Sequence, residues 1–232
     1  MKIKNLTLAN FIARPNRFTV VVEKDGYKFK AHLRDPGRLE DLLNPGNKLL
    51  LKYMPVSGDR KTLFDVIAAF KDGEWVIINS GLHNGLANEI IESHFIKELE
   101  GYNVVKREYS FGKSRLDFLL ARDGEKMLLE VKGCTLLKDD MALFPDAPTI
   151  RGKRHLEELI KATELGFKSS ILFLIFRRKA RIFSPNHTTD PKFAEILKKS
   201  VKNGVIVIPI TLKTKLNKEL KIEPEKRIRT IL

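Results

Sequence analysis

The chain is predicted to be an α/β protein of the two-domain α+β kind, with a small β-barrel first and an α/β domain built on a central mixed sheet second. Three observations lead there. Residues 1–79 break into short strand-like runs divided by turn signals, residues 80–210 alternate helical and strand patterns, and the change falls at Ser80. A chain of 232 residues is long enough for two ordinary domains, so the expected division is 1–79 and 80–232.

In the first region the strand-like runs are RFTVVVEK, YKFKAHL, NKLLLKYM, TLFDVIAAF and EWVIINS. Lys24-Asp25-Gly26, Asn44-Pro45-Gly46, Ser57-Gly58-Asp59 and Asp72-Gly73 separate them. Five strands in so short a stretch close most readily into an OB-like barrel. In YKFKAHLR basic residues alternate with apolar ones, which gives either a basic binding face or an ordinary solvated one. The single Trp75 is expected to anchor the barrel to the second domain.

The second region opens with LANEIIESHFIKELEG. Its Leu86, Ile90, Ile91, Phe95 and Leu99 recur at helical spacing, and Gly101 is placed to end the helix. VVKREYSFG then reads as a strand. In SRLDFLLARDGEKMLLEVKG two apolar runs flank Asp123-Gly124, a strong hairpin signal. A loop through Pro145 and Pro148 precedes the amphipathic helix RGKRHLEELIKATELG, which ends at Gly166. ILFLIF and VIVIPI are wholly apolar, as buried strands of a mixed or parallel sheet are. Between them Asp190 caps a third helix with Pro191 in its first turn. Residues 211–232 are charged and interrupted by Pro224, and their pattern leaves strand and tail equally open.

The hairpin carries the chemistry. If Asp123 and Gly124 are its central residues, Asp117 lies opposite Glu130 and Arg115 opposite Lys132, with Cβ atoms ~4.5–5.5 Å apart. Like charges so opposed repel, and a divalent cation between them removes the conflict. Two hard oxygen donors suit magnesium or manganese, and the Val131 carbonyl could add a third. Lys132, on the same face, could orient water or stabilise charge on a phosphoryl group. Glu89 on the preceding helix is a further candidate ligand. Arg151, Arg154 and His155 are expected near the same place, with Arg151 and His155 one helical turn apart for phosphate contact. Arg115 beside Asp117, and Arg34 and Arg38 around a Pro-Gly turn, complete the candidate nucleic-acid contacts; for the turn pair a solvated role competes. Cys134 is assigned to packing.

Charge points to the partner. The formal net charge is +14, spread as +5, +5 and +4 over residues 1–79, 80–210 and 211–232, which fits a protein that meets a polyanion. A generically Lys-rich, heat-adapted surface is the competing explanation, since Lys and Glu are abundant and Gln is absent. No apolar run approaches the ~18–20 residues that span a bilayer, MKIKNLTLANF lacks a signal-peptide core, and one cysteine excludes an internal disulfide. A cytoplasmic protein without membrane contact is expected.

The spacing D-x12-E-x-K over Asp117, Glu130 and Lys132, in this order of elements, resembles the restriction-endonuclease-like, or PD-(D/E)xK, nuclease core. That resemblance implies metal binding by Asp117 and Glu130, a catalytic Lys132 and an accessory acid at Glu89; Leu116 replaces the motif's nominal Pro. HLRDPGRLEDLLNPGN, SRLDFLL, LLEVKGCTL, FPDAPTIRGKRHLEEL and RIFSPN together resemble the sugar fermentation stimulation protein A family. This second resemblance implies an OB-type domain joined to a nuclease-like domain and sequence-nonspecific DNA binding. Asp35 stands where Asn is expected in many members. The expected activity is magnesium- or manganese-dependent nuclease chemistry on DNA held mainly through its phosphates, with RNA also considered and a homodimer allowed by the habit of such nucleases. The alternative is a non-cleaving DNA-binding regulator linked to sugar metabolism, with a vestigial site.

Overall fold

The structure, a computed structural model, describes residues 1–55 and 61–232. The turn expected at Ser57-Gly58-Asp59 lies outside the described residues. After β1 (Lys2–Ile3), which joins a later sheet, come β2 (Leu6–Asn16), β3 (Thr19–Lys24), β4 (Tyr27–His32), β5 (Lys48–Tyr53), β6 (Phe64–Lys71) and β7 (Glu74–Ile77). They run in the order β4-β3-β2-β5-β6-β7, and a parallel pairing of β4 with β6 closes β2 to β6 into a five-stranded barrel. That is the connectivity of an OB barrel.

One barrel strand differs from expectation. The sequence pattern counts EWVIINS as the fifth strand, whereas β7 only extends the edge beside β6 and the missing barrel strand is β2. LTLANFIARPN hides it, because Pro15 argues against a strand and the pairing with β3 shifts register twice, at Phe11/Ala13 and Ala13/Asn16.

Beyond the barrel lie α1 (His83–Glu92), β8 (Asn103–Phe111), β9 (Ser114–Arg122), β10 (Glu125–Cys134), β11 (Leu136–Lys138), β12 (Met141–Phe144) and α2 (Ile150–Glu164). They are followed by β13 (Lys168–Ile175), β14 (Ile182–Pro185), α3 (Pro191–Lys202), β15 (Ile206–Leu216), β16 (Leu220–Arg227) and β17 (Arg229–Thr230). Seven strands form a mixed sheet in the order β1-β16-β15-β13-β10-β9-β8, parallel only where β13 pairs with β10 and β15. Residues 211–232 settle into a strand: β16 returns along β15, and a register shift between Thr211 and Leu212 faces Pro224.

The helix expected over 86–101 is shorter. α1 starts three residues earlier and stops at Glu92, where His94 takes φ +54, and a short 3₁₀ turn at Lys97–Leu99 carries the remaining apolar spacing. The expected loop after the hairpin instead holds β11 and β12, which pair with β14 and β17 in a small second sheet. α2 and α3 begin where expected. The Thr149 hydroxyl accepts from Gly152 N at 3.0 Å and Asp190 Oδ1 accepts from Phe193 N at 3.1 Å, satisfying amides that a helix start leaves unpaired.

The large sheet is buried on both faces. One apolar cluster joins Phe118, Leu129 and Leu172 to α1 and the barrel, and another joins Leu128, Ile171 and Phe173 to α2 and α3. Burial on both sides explains why its central strands read as unbroken apolar runs. The barrel is tied down by polar contacts as well. The Trp75 main chain exchanges hydrogen bonds with the Thr214 hydroxyl at 3.2 and 2.8 Å and so ties β7 to β15, while its indole packs against Phe70. Arg177, 2% exposed, ion-pairs with Asp41, Asp72 and Glu74 from the barrel half. No helix among the described residues is long and apolar enough to cross a membrane.

Candidate functional site

The hairpin turns where expected. Asp123 and Gly124 both have positive φ, 48° and 83°, as a type I′ turn requires, and pairing runs from Arg122–Glu125 to Phe118–Leu129. The ladder stops there, one pair short of Asp117 and Glu130. Those two acids are therefore not ladder partners. The Val131 amide donates to Asp117 Oδ2 at 2.8 Å, so a side chain fills the place of a strand carbonyl. Asp117 Oδ1 accepts from Asn84 Nδ2 on α1 at 2.9 Å.

Glu130 is held from the other helix. It is 1% exposed, and its Oε1 is bonded to His155 Nδ1 and paired with the Lys132 ammonium. Arg151 Nε donates to His155 Nε2 at 3.2 Å, which puts the lone pair on that nitrogen and the proton on Nδ1, facing Glu130. A chain of contacts thus runs Arg151, His155, Glu130, Lys132. Glu130 Oε2 is buried and has no hydrogen-bond partner among the described residues.

Electrostatics separates the acids. Burial and then the nearby Glu130 push the Asp117 carboxyl up to about 6, against the Val131 and Asn84 hydrogen bonds. Burial also acts to raise Glu130, but Lys132 and His155 more than reverse it and hold that carboxyl below its ordinary value. The residues fit a divalent cation. An orphaned, buried carboxylate oxygen and a second acid strained by burial and its neighbour are what such an ion would relieve.

These groups line a cleft of about 1140 Å³ between the barrel and the large sheet. Asp117, Glu130, Lys132, Arg38, Arg115 and Arg151 all border it. The other candidates lie elsewhere. Glu89 lies outside it, 2.6 Å from the N-terminal amine of Met1 and beside a separate cavity, because α1 turns its Asn84 toward the site instead. His155, at 1% exposure, is too buried to touch phosphate and serves Glu130. Arg34 pairs with Asp65 at 3.2 Å, and Arg154 Nε donates to Ser114 Oγ at 3.2 Å; neither lines the cleft. Arg115 pairs with Glu108 at 2.7 Å at the cleft edge. Cys134 is buried, and burial pushes its thiol up, as packing demands.

Sequence reasoning missed several lining residues. Asn84 and His83 fall before the expected helix start, and Arg14 and Arg17 sit on or beside the unrecognised β2. The apolar stripe of α1, extended one turn backwards from Leu86, is the signal that would have exposed the first pair. Arg14 organises the loop at 35–38 by donating to the carbonyls of Arg38 at 2.6 Å and Asp35 at 3.2 Å. His83 stacks on Phe176 with ring centroids 5.4 Å apart, and a Cβ at Gly133 would collide with its ring, so close packing there needs glycine.

Comparison with known proteins agrees with this architecture. The family model for the sugar fermentation stimulation protein RE domain matches residues 81–218, and that for the SfsA N-terminal OB domain matches residues 12–78. A sugar fermentation stimulation protein homolog from Methanothermobacter thermautotrophicus is 55% identical, the match covering 98% of this chain and 95% of that protein. One from Methanosphaera stadtmanae is 43% identical, covering 100% and 97%. The solved structure of Pyrococcus furiosus SfsA, in complex with Ca2+, is similar with TM-score 0.92 and 31% identity, covering 100% of this chain and 98% of that one.

Proposed function

The chain belongs to the sugar fermentation stimulation protein family, and from that premise we propose that it binds DNA without sequence specificity and hydrolyses phosphodiester bonds at a divalent-metal centre in the cleft. The observation that carries the reading is Glu130 Oε2, buried without a hydrogen-bond partner among the described residues, beside an Asp117 whose carboxyl burial and Glu130 push up to about 6. A pure binder of polyanions gains nothing from two acids in its basic cleft.

Asp117 and Glu130 would hold the ion, magnesium or manganese in the working enzyme; calcium is bound by the Pyrococcus furiosus relative. When bound, such an ion supplies positive charge for the phosphoryl oxygens. Asn84 and the Val131 amide orient Asp117, while His155 orients Glu130. Lys132, half-buried beside Glu130, presents a fixed charge to the reacting phosphate. Arg38, Arg115 and Arg151 hold the backbone on either side.

The test is a cleavage assay with magnesium or manganese on single-stranded, duplex and branched DNA and on RNA, beside Lys132→Ala. Metal-dependent cutting by the wild type and at least a hundredfold loss in the variant, on the order seen for electrostatic catalytic groups, is expected. Equal inactivity of both on every substrate would leave the regulator with a vestigial site as the better account.

A further inference from the structure

The cleft is bordered by two chemically different sets of side chains. Arg17, Arg38, Arg115, Lys132 and Arg151 are basic and stand with the two acids, while Leu136, Leu143, Phe144 and Ile150 are apolar, Leu136 and Leu143 being cross-strand partners of β11 and β12. Ile150 opens α2 and is 81% exposed. A protein that gripped only the phosphates of a double helix would have no use for these apolar groups, because stacking hides the base faces.

Arg177, buried and paired with three acids of the barrel half, ties that half to the α/β half, and Leu39 N donates to Asp146 Oδ2 at 3.2 Å across the same junction. A cleft of about 1140 Å³, at or above the ~300–1,000 Å³ of small-molecule pockets, has room for a few nucleotides.

Resting on the nuclease reading, we propose that the cleft takes single-stranded nucleic acid, its unstacked bases against Leu136, Leu143, Phe144 and Ile150 and its phosphates toward Arg17, Arg38 and Lys132. Apolar contact with base faces is tolerant of sequence, as a nonspecific binder requires.

Binding measured in calcium reads the substrate class whether or not the protein cuts. Fluorescence anisotropy with a labelled oligo-dT of about 12 nucleotides and a hairpin duplex of similar length should show the single strand bound roughly tenfold more tightly. Ile150→Ser should lower that preference roughly fivefold, since it removes an apolar contact from an exposed position that folding does not need. An oligo-U of the same length tells whether RNA is taken too, and its tighter binding than duplex would equally support the class. Duplex affinity equal to or above that of the single strand, or a preference unmoved by Ile150→Ser, would overturn the proposal. Single-strand preference without any cleavage would uphold it while removing the nuclease reading.

Discussion

The Asp117 carboxylate accepts the Val131 amide at 2.8 Å, at the point where pairing between β9 and β10 ends. A strand acid therefore takes over a ladder hydrogen bond and is fixed beside Glu130, whose charge it must share. On the proposed reading this arrangement costs stability without a cation, and a bound cation would restore it.

Asp117→Asn tests that cost. The Asn carbonyl can still accept from Val131, and the repulsion with Glu130 disappears. The metal-free variant is expected to be more stable than wild type at pH 7 by up to about 3 kcal/mol, the scale of a carboxyl raised from 3.8 to about 6. Urea unfolding in a chelator measures it; a destabilised variant would show that Lys132 already neutralises the pair.

The same shift fixes a pH dependence. Between its unfolded value and about 6, Asp117 binds more proton in the folded state, so stability falls as pH rises through about 6 and is regained as pH drops toward 4. Asp35, pushed up to about 6 by burial and by Asp146 against its Gly37 hydrogen bond, acts in the same direction. Metal-free protein should thus gain stability from pH 7 to pH 5, and Asp117→Asn should show a smaller gain. Thermal unfolding across that range would contradict this if both proteins lost stability together.

His155 acts through Glu130. His155→Ala removes the donor that orients the carboxylate, and a loss of roughly 10–100-fold in cation affinity is expected. His155→Gln, which retains a donor, should recover part of it. Calorimetry with manganese separates this from a folding defect, which would lower the active fraction and leave the affinity unchanged.

Arg177→Met removes a buried cation shared by Asp41, Asp72 and Glu74, acids that keep partial contact with water, and a loss of about 2–3 kcal/mol is expected. Asp41, raised by burial against the pull of Arg177, shows that this environment does not favour an unpaired acid. Guanidinium unfolding measures the effect; a change within about 1 kcal/mol of zero, a surface pair's worth, would mean that the clasp is incidental.

Local signals made much of this legible. Asp123-Gly124 set the register of the hairpin, Gly166 at φ +86 marked the end of α2, and Asp190 marked the start of α3. What stayed hidden depends on distant partners. β2 carries Pro15 and two register shifts that only its neighbours β3 and β5 make sense of, and three-residue β11 is a strand only because β12 and β14 pair beside it. At the site, the nearness of the two acids was visible as a spacing, although the ladder ends before it would pair them. The choice of Asn84 over Glu89, and of His155 as a support for Glu130, is settled by the direction in which α1 and α2 face the sheet, which a spacing rule does not contain.

Manganese titration of wild type and Asp117→Asn, followed by calorimetry at neutral pH, addresses the central claim most directly. Asp117 and Glu130 together should bind one ion per chain, with release of a fraction of a proton from Asp117, and the variant should bind none. Undiminished binding by the variant, or none by either protein, would contradict the account.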